Sequence, residues 1–136
     1  MKKVLITEFM NQNSIKVLRK KFNVIYDKNL WKNKKKLEKI IFKYDVIIIR
    51  NKTQLNETLL KKTNNLKFVG RLGVGLDNIN IKYCKKQKIH VQPATGMNSD
   101  SVAEYVISSS LHLIKNISLF HNGTTKGLWP RTMLNS

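Results

Sequence analysis

The sequence predicts an α/β fold, a flavodoxin-like doubly wound parallel sheet. Short blocks of branched aliphatic residues recur along the chain, and helical patterning fills the intervals between them. Such alternation implies right-handed crossovers and a parallel sheet. One block, Val46-Ile47-Ile48-Ile49, is an unbroken β-branched run. That pattern marks a central strand covered by helices on both faces. The chain of 136 residues is of single-domain size, large enough to bury roughly two-thirds of its unfolded surface.

The elements follow in order. Val4–Ile6 reads as a strand buried on both faces. Ser14 caps a predicted helix from Ile15 to Phe22, with Val17, Leu18 and Phe22 on one side. Val24–Tyr26 is the second strand, and Trp31, Leu37, Ile40, Ile41 and Tyr44 then recur at helical spacing. After the central strand, Leu55, Leu59 and Leu60 mark a short helix, and Phe68-Val69-Gly70 a fourth strand. Asp77 or Asn78 opens a helix through Cys84, and His90-Val91 is the last strand before Pro93.

The longest predicted helix runs from Ser101 to about Leu119, with Ser101 and Glu104 as a capping box. Its apolar residues, among them Val102, Val106, Ile107, Leu111, Leu113, Ile114 and Ile117, cover more than the usual stripe of about 100°. A small sheet cannot cover so broad a surface, so this helix expects a second domain or subunit. Gly123–Ser136 has no periodic pattern and reads as a connection into another domain.

The formal charge of +18 invites a nucleic-acid reading. The lysines are spread over every segment, however, and Asn and Ile are abundant with them. All three share AT-rich codons, which favours compositional bias over a polyanion partner and leaves only nonspecific attraction to anions. Cys84 is the single cysteine, so no intrachain disulfide forms and a reducing cytoplasm is expected. No apolar run approaches the ~20 residues of a membrane span.

In open α/β sheets ligands bind beyond the carboxyl ends of the strands. Arg50 follows the Val46–Ile49 strand, and Arg71 follows Phe68-Val69-Gly70. Against a lysine background these arginines offer a planar fork for carboxylate, phosphate or sulfonate. Gly73-Val74-Gly75 forms the next turn, where glycines let backbone N–H groups approach an anion. The turn lacks the third glycine of the dinucleotide fingerprint, and no G-x-G-x-x-G or Walker loop occurs. His90, His112 and His121 have no acidic partner at a suggestive spacing, and no metal-ligand cluster is visible. The residues alone thus lead to an anion-binding α/β lobe.

At these positions the sequence resembles the D-isomer-specific 2-hydroxyacid dehydrogenases. The resemblance is carried by Arg50-Asn51-Lys52-Thr53, by Gly70-Arg71-Leu72-Gly73-Val74-Gly75-Leu76-Asp77-Asn78-Ile79 and by the run from Pro93 to Glu104, Pro-Ala-Thr-Gly-Met-Asn-Ser-Asp-Ser-Val-Ala-Glu. Gly127-Leu128-Trp129-Pro130-Arg131 resembles the family's lead into its cofactor domain. Within the family, the phosphoglycerate and (S)-sulfolactate dehydrogenase branches are the most similar. Thr7-Glu8-Phe9-Met10 and Trp129-Pro130-Arg131 point to the sulfolactate branch.

The resemblance implies that residues 1–100 form a substrate-binding lobe. It further implies that 101–119 form an interdomain or dimer helix, and that 120–136 lead toward an NAD-binding Rossmann domain. It places the substrate carboxylate on the N–H groups of Val74 and Gly75, with Asn98 beside it. It places the distal anion on Arg50 and Arg71, with Arg131 acting across a homodimer. The family's NAD loop and its catalytic arginine, glutamate and histidine match nothing in these 136 residues. The expectation is therefore a truncated enzyme, inactive alone, with no catalytic, cofactor-binding or metal residue of its own. The alternative is a non-enzymatic flavodoxin-like module that binds anions or nucleic acid.

Overall fold

The computed structural model describes residues 1–129 and 131, so the expectations for Pro130 and for 132–136 lie outside the described residues. The chain forms two compact units, Met1–Met97 and Asn98–Ser136.

The first unit contains five strands: β1 (Lys3–Ile6), β2 (Asn23–Tyr26), β3 (Val46–Ile49), β4 (Phe68–Arg71) and β5 (His90–Pro93). All pairings are parallel, in the order β2-β1-β3-β4-β5. This is the flavodoxin-like order, in which the chain direction across the sheet reverses between β1 and β3. Helices α1 (Gln12–Arg19), α2 (Lys34–Ile40), α3 (Glu57–Leu60) and α4 (Ile81–Lys86) connect the strands. The apolar spacing from Trp31 to Tyr44 resolves into α2 flanked by 3₁₀ turns at Leu30–Lys32 and Ile41–Lys43.

Several helix starts differ from the sequence expectation. The caps are asparagines: Asn11, Asn33, Asn56 and Asn80 each accept a bond from a backbone N–H of the following turn. Ser14 lies inside α1, and Asp77 and Asn78 precede the cap of α4. A side-chain oxygen at the cap satisfies an N–H that the first turn leaves without a partner.

Alternate residues of each strand feed two cores. Leu5, Ile47, Ile49 and Val69 pack with Leu37, Ile41, Leu59, Leu60, Ile79 and Cys84 from α2, α3, α4 and their loops. Val4, Ile6 and Val24 pack with Ile15 of α1 on the other face. Burial on both faces holds for β1 but only in part for β3, where Val46 and Ile48 are half-buried. Within this unit one helix packs on that face, against three on the first.

The second unit holds α5 (Ser99–Ile114) and α6 (Ile117–Thr125) in place of one helix from Ser101 to Leu119. The break is at Asn116, which adopts a left-handed conformation, φ 47°. Asparagine visits that region more readily than most residues. Asn98, not Ser101, precedes the first turn, so the predicted capping box falls inside the helix. The His112 Nε2 and Ser118 Oγ atoms lie 2.6 Å apart and join the two helices. No residue of α5 or α6 is buried.

Candidate anion-binding site at the strand ends

The reversal between β1 and β3 brings the segments after these two strands together, and a buried carboxylate joins them. Glu8, two residues past β1, is 3% exposed. Its Oε1 accepts from the backbone N–H groups of Arg50 and Thr53, both at 2.9 Å, and its Oε2 from that of Lys52 at 3.1 Å. Burial pushes the Glu8 carboxyl up, but hydrogen bonds from the backbone N–H groups of Thr53, Arg50 and Lys52 and from the Thr53 side chain together outweigh it and hold the group below the usual carboxylate value. The hydroxyls of Thr7 and Thr53 are hydrogen-bonded at 2.7 Å. From the β4 side, Asn78 Nδ2 donates to the carbonyls of Arg50 at 3.0 Å and Thr53 at 2.8 Å. The loop 50–53 is thus held by its N–H groups from one side and by its carbonyls from the other.

The second part of the site is the turn after β4. Arg71 is the last residue of β4, paired in register with Ile49, the last residue of β3, which Arg50 directly follows. Gly73 has φ +152°, and the Arg71 guanidinium occupies the space that a Cβ on Gly73 would take. A Cβ on Gly75 would lie 2.9 Å from Asp77 Oδ1 and 4.0 Å from Arg71 Nη2. The guanidinium therefore rests on the glycine turn, and its Nε is buried with no hydrogen-bond partner. Val74 and Gly75 are exposed.

A cleft of about 350 Å³ opens over the ends of β1, β2 and β3, lined by Glu8, Lys28, Trp31, Arg50 and Lys52 among others. Lys52 Nζ lies 4.5 Å from the Trp31 ring centroid, a cation–π contact. The described ion pairs are Lys36–Asp27, Lys61–Glu57 and Lys62–Glu38. None neutralises Arg50, Lys52, Lys28 or Arg71, and the Glu8 charge is already taken up by the loop. Un-neutralised cations beside a glycine turn suit an oxyanion ligand.

The fold brings together Arg50, Arg71, Val74 and Gly75 of the residues singled out from sequence. Asn98 and Arg131 belong to the second unit, both exposed. Glu8, Lys52 and Asn78 stand in the motifs that carry the resemblance, but neither they nor Trp31 were given a site role. Glu8 had a signal: it is one of only 8 acidic residues in a strongly basic chain, and it stands just past a strand.

Cys84 is buried, and burial pushes its thiol up, away from the reactive thiolate. No cluster of three potential metal ligands occurs among the described residues. The Gly73–Gly75 turn does not fit a dinucleotide. α4 begins only at Ile81, so no helix N-terminus meets the turn. No described helix is long and apolar enough to cross a membrane.

The family model described as "D-isomer specific 2-hydroxyacid dehydrogenase, catalytic domain" matches residues 4–128. The (S)-sulfolactate dehydrogenase of Chromohalobacter salexigens is 38% identical over 134 residues, covering 98% of this chain and 43% of the relative. The D-3-phosphoglycerate dehydrogenase of Archaeoglobus fulgidus is 30% identical over 129 residues, covering 95% of this chain and 24% of the relative. The chain therefore spans less than half the length of either. Among solved structures, the D-lactate dehydrogenase of Aquifex aeolicus, complexed with NAD and lactic acid, superposes with a TM-score of 0.76. Its identity is 27%, over 90% of this chain and 37% of that one.

Proposed function

The chain belongs to the D-isomer specific 2-hydroxyacid dehydrogenase family, and from that premise we propose that its first unit is a substrate-binding lobe for a small 2-hydroxy or 2-oxo acid carrying a second anionic group. Sulfolactate, 3-phosphoglycerate and erythronate 4-phosphate are such acids that relatives act on by name. The observation that carries this reading is the pair of arginines Arg50 and Arg71, in none of the described ion pairs, at neighbouring strand ends beside the Gly73–Gly75 turn.

In this reading the N–H groups of Val74 and Gly75 hold the substrate carboxylate. Arg50 and Arg71 hold the distal anion, and Lys52 adds charge from the cleft. The buried Nε–H of Arg71 supports this role. A buried donor without a partner costs about 1–3 kcal/mol, which a ligand oxygen beside it offsets. Asn98 and Arg131 join the site by family resemblance, Arg131 from a homodimer partner. The apolar, unburied surface of α5 supports such a dimer. NAD, in a reducing cytoplasmic setting, is the proposed hydride acceptor, as the NAD-bound D-lactate dehydrogenase suggests. The cofactor supplies the hydride chemistry, while the residues of this chain bind and orient the acid. A dehydrogenase family leaves the non-enzymatic module without support.

The test is calorimetric titration with sulfolactate, 3-phosphoglycerate and lactate at fixed ionic strength. At least one of the two-anion acids should bind about tenfold or more tighter than lactate, the size expected of one charge-assisted hydrogen bond. Arg50→Met should remove that difference. Equal affinities for all three acids would sink the reading.

A further inference from the structure

A negative charge on the wall of a cationic cleft works against an anionic ligand unless that charge is already taken up. Glu8 is such a charge. It lines the cleft with Arg50 and Lys52, yet its two oxygens are consumed by three converging N–H groups of the loop that carries them. Converging backbone N–H groups are themselves an anion-binding concavity. Here the chain fills that concavity with its own carboxylate. The ligand is left the Arg50 guanidinium and Lys52 ammonium, while the backbone beneath them is fixed from below.

We propose that Glu8 is a positioning residue for the anion-binding loop Arg50–Thr53, acting as an internal anion that sets the backbone from which Arg50 and Lys52 reach the cleft. This rests on the reading of the cleft as the distal-anion site. Three features support it beyond the hydrogen bonds themselves. The bonds span more than forty residues of sequence, from the end of β1 to the end of β3, so they fix one strand end against the next. The loop carbonyls are held independently by Asn78. The Thr7–Thr53 hydroxyl pair closes the far end of the loop. Little freedom then remains in the backbone that carries the two cations.

The atoms make the test specific. In Glu8→Gln the amide oxygen can keep the Arg50 and Thr53 N–H groups, as Oε1 does, but the amide nitrogen then faces the Lys52 N–H, donor against donor. Backbone amide hydrogen exchange should show Lys52 losing protection while Arg50 and Thr53 keep much of theirs. In the same protein the affinity for sulfolactate should fall about tenfold, and that for lactate, bound at the glycine turn, should stay within about twofold. If the unaltered chain shows no preference for sulfolactate over lactate, the reading of the site fails. If it shows the preference and Glu8→Gln keeps it, the positioning role fails alone. Should Glu8→Gln not fold, Glu8→Asp, which keeps the charge and withdraws it by one methylene, is read the same way. Loss of the fold in both variants makes Glu8 a folding residue and overturns the proposal.

Discussion

Gly73 carries two constraints at one backbone position. Its φ of +152° lies where side chains rarely go, and the Arg71 guanidinium fills the space of its missing Cβ. Gly75, two residues on, meets only the flexible Asp77 carboxylate and a distant Nη2. Gly73→Ala should therefore cost about 1–3 kcal/mol through the backbone alone, and should displace Arg71 as well. Gly75→Ala should cost visibly less. Urea unfolding of the two variants measures the difference, and equal losses would contradict the special role given to Gly73. Both glycines were legible in the sequence as a turn near a ligand. The role of Glu8 was not, because its burial depends on three donors from a loop that only the parallel sheet brings near. Local sequence around Thr7-Glu8 records nothing of those donors.

At the scale of elements, strands read more truly than helices. Val46–Ile49 is a strand with the bounds its β-branched run suggested, and it lies at the centre of the sheet. Helices meet both of its faces, but Val46 and Ile48 stay half-buried, since hydrophobic residues in a row do not tell how fully each face is covered. Helix starts shifted because asparagine competes on equal terms with serine and aspartate as a cap, and asparagine side chains cap α1, α2, α3 and α4. The break at Asn116 divided the long helix without any glycine or proline to announce it. What the sequence did record there is the broad apolar surface. Leu113 is 73% and Ile117 47% exposed, and each large aliphatic left in water forgoes on the order of 1.5–3 kcal/mol. The chain should self-associate through the second unit. Sedimentation velocity at micromolar concentration should show a dimer or larger species, and Ile117→Lys should shift it toward monomer while leaving the far-ultraviolet dichroism intact. A monomer in both cases would contradict the proposed dimer.

For the whole molecule the question is whether a charge of +18 acts as a diffuse field or is given direction by the fold. A diffuse field attracts any anion weakly and fades with salt. The folded chain does more than that, setting Arg50, Arg71 and the Gly73–Gly75 turn side by side at the ends of β3 and β4. Amide chemical-shift mapping of the chain with sulfolactate at about 0.15 M salt, beside chloride and a short DNA duplex as anion controls, separates the two most directly. The account predicts saturable shifts confined to residues 50–53 and 71–75, with the Val74 and Gly75 amides moving downfield and no comparable pattern from either control. Shifts scattered over the surface lysines, alike for sulfolactate and DNA and lost together as salt rises, would contradict it.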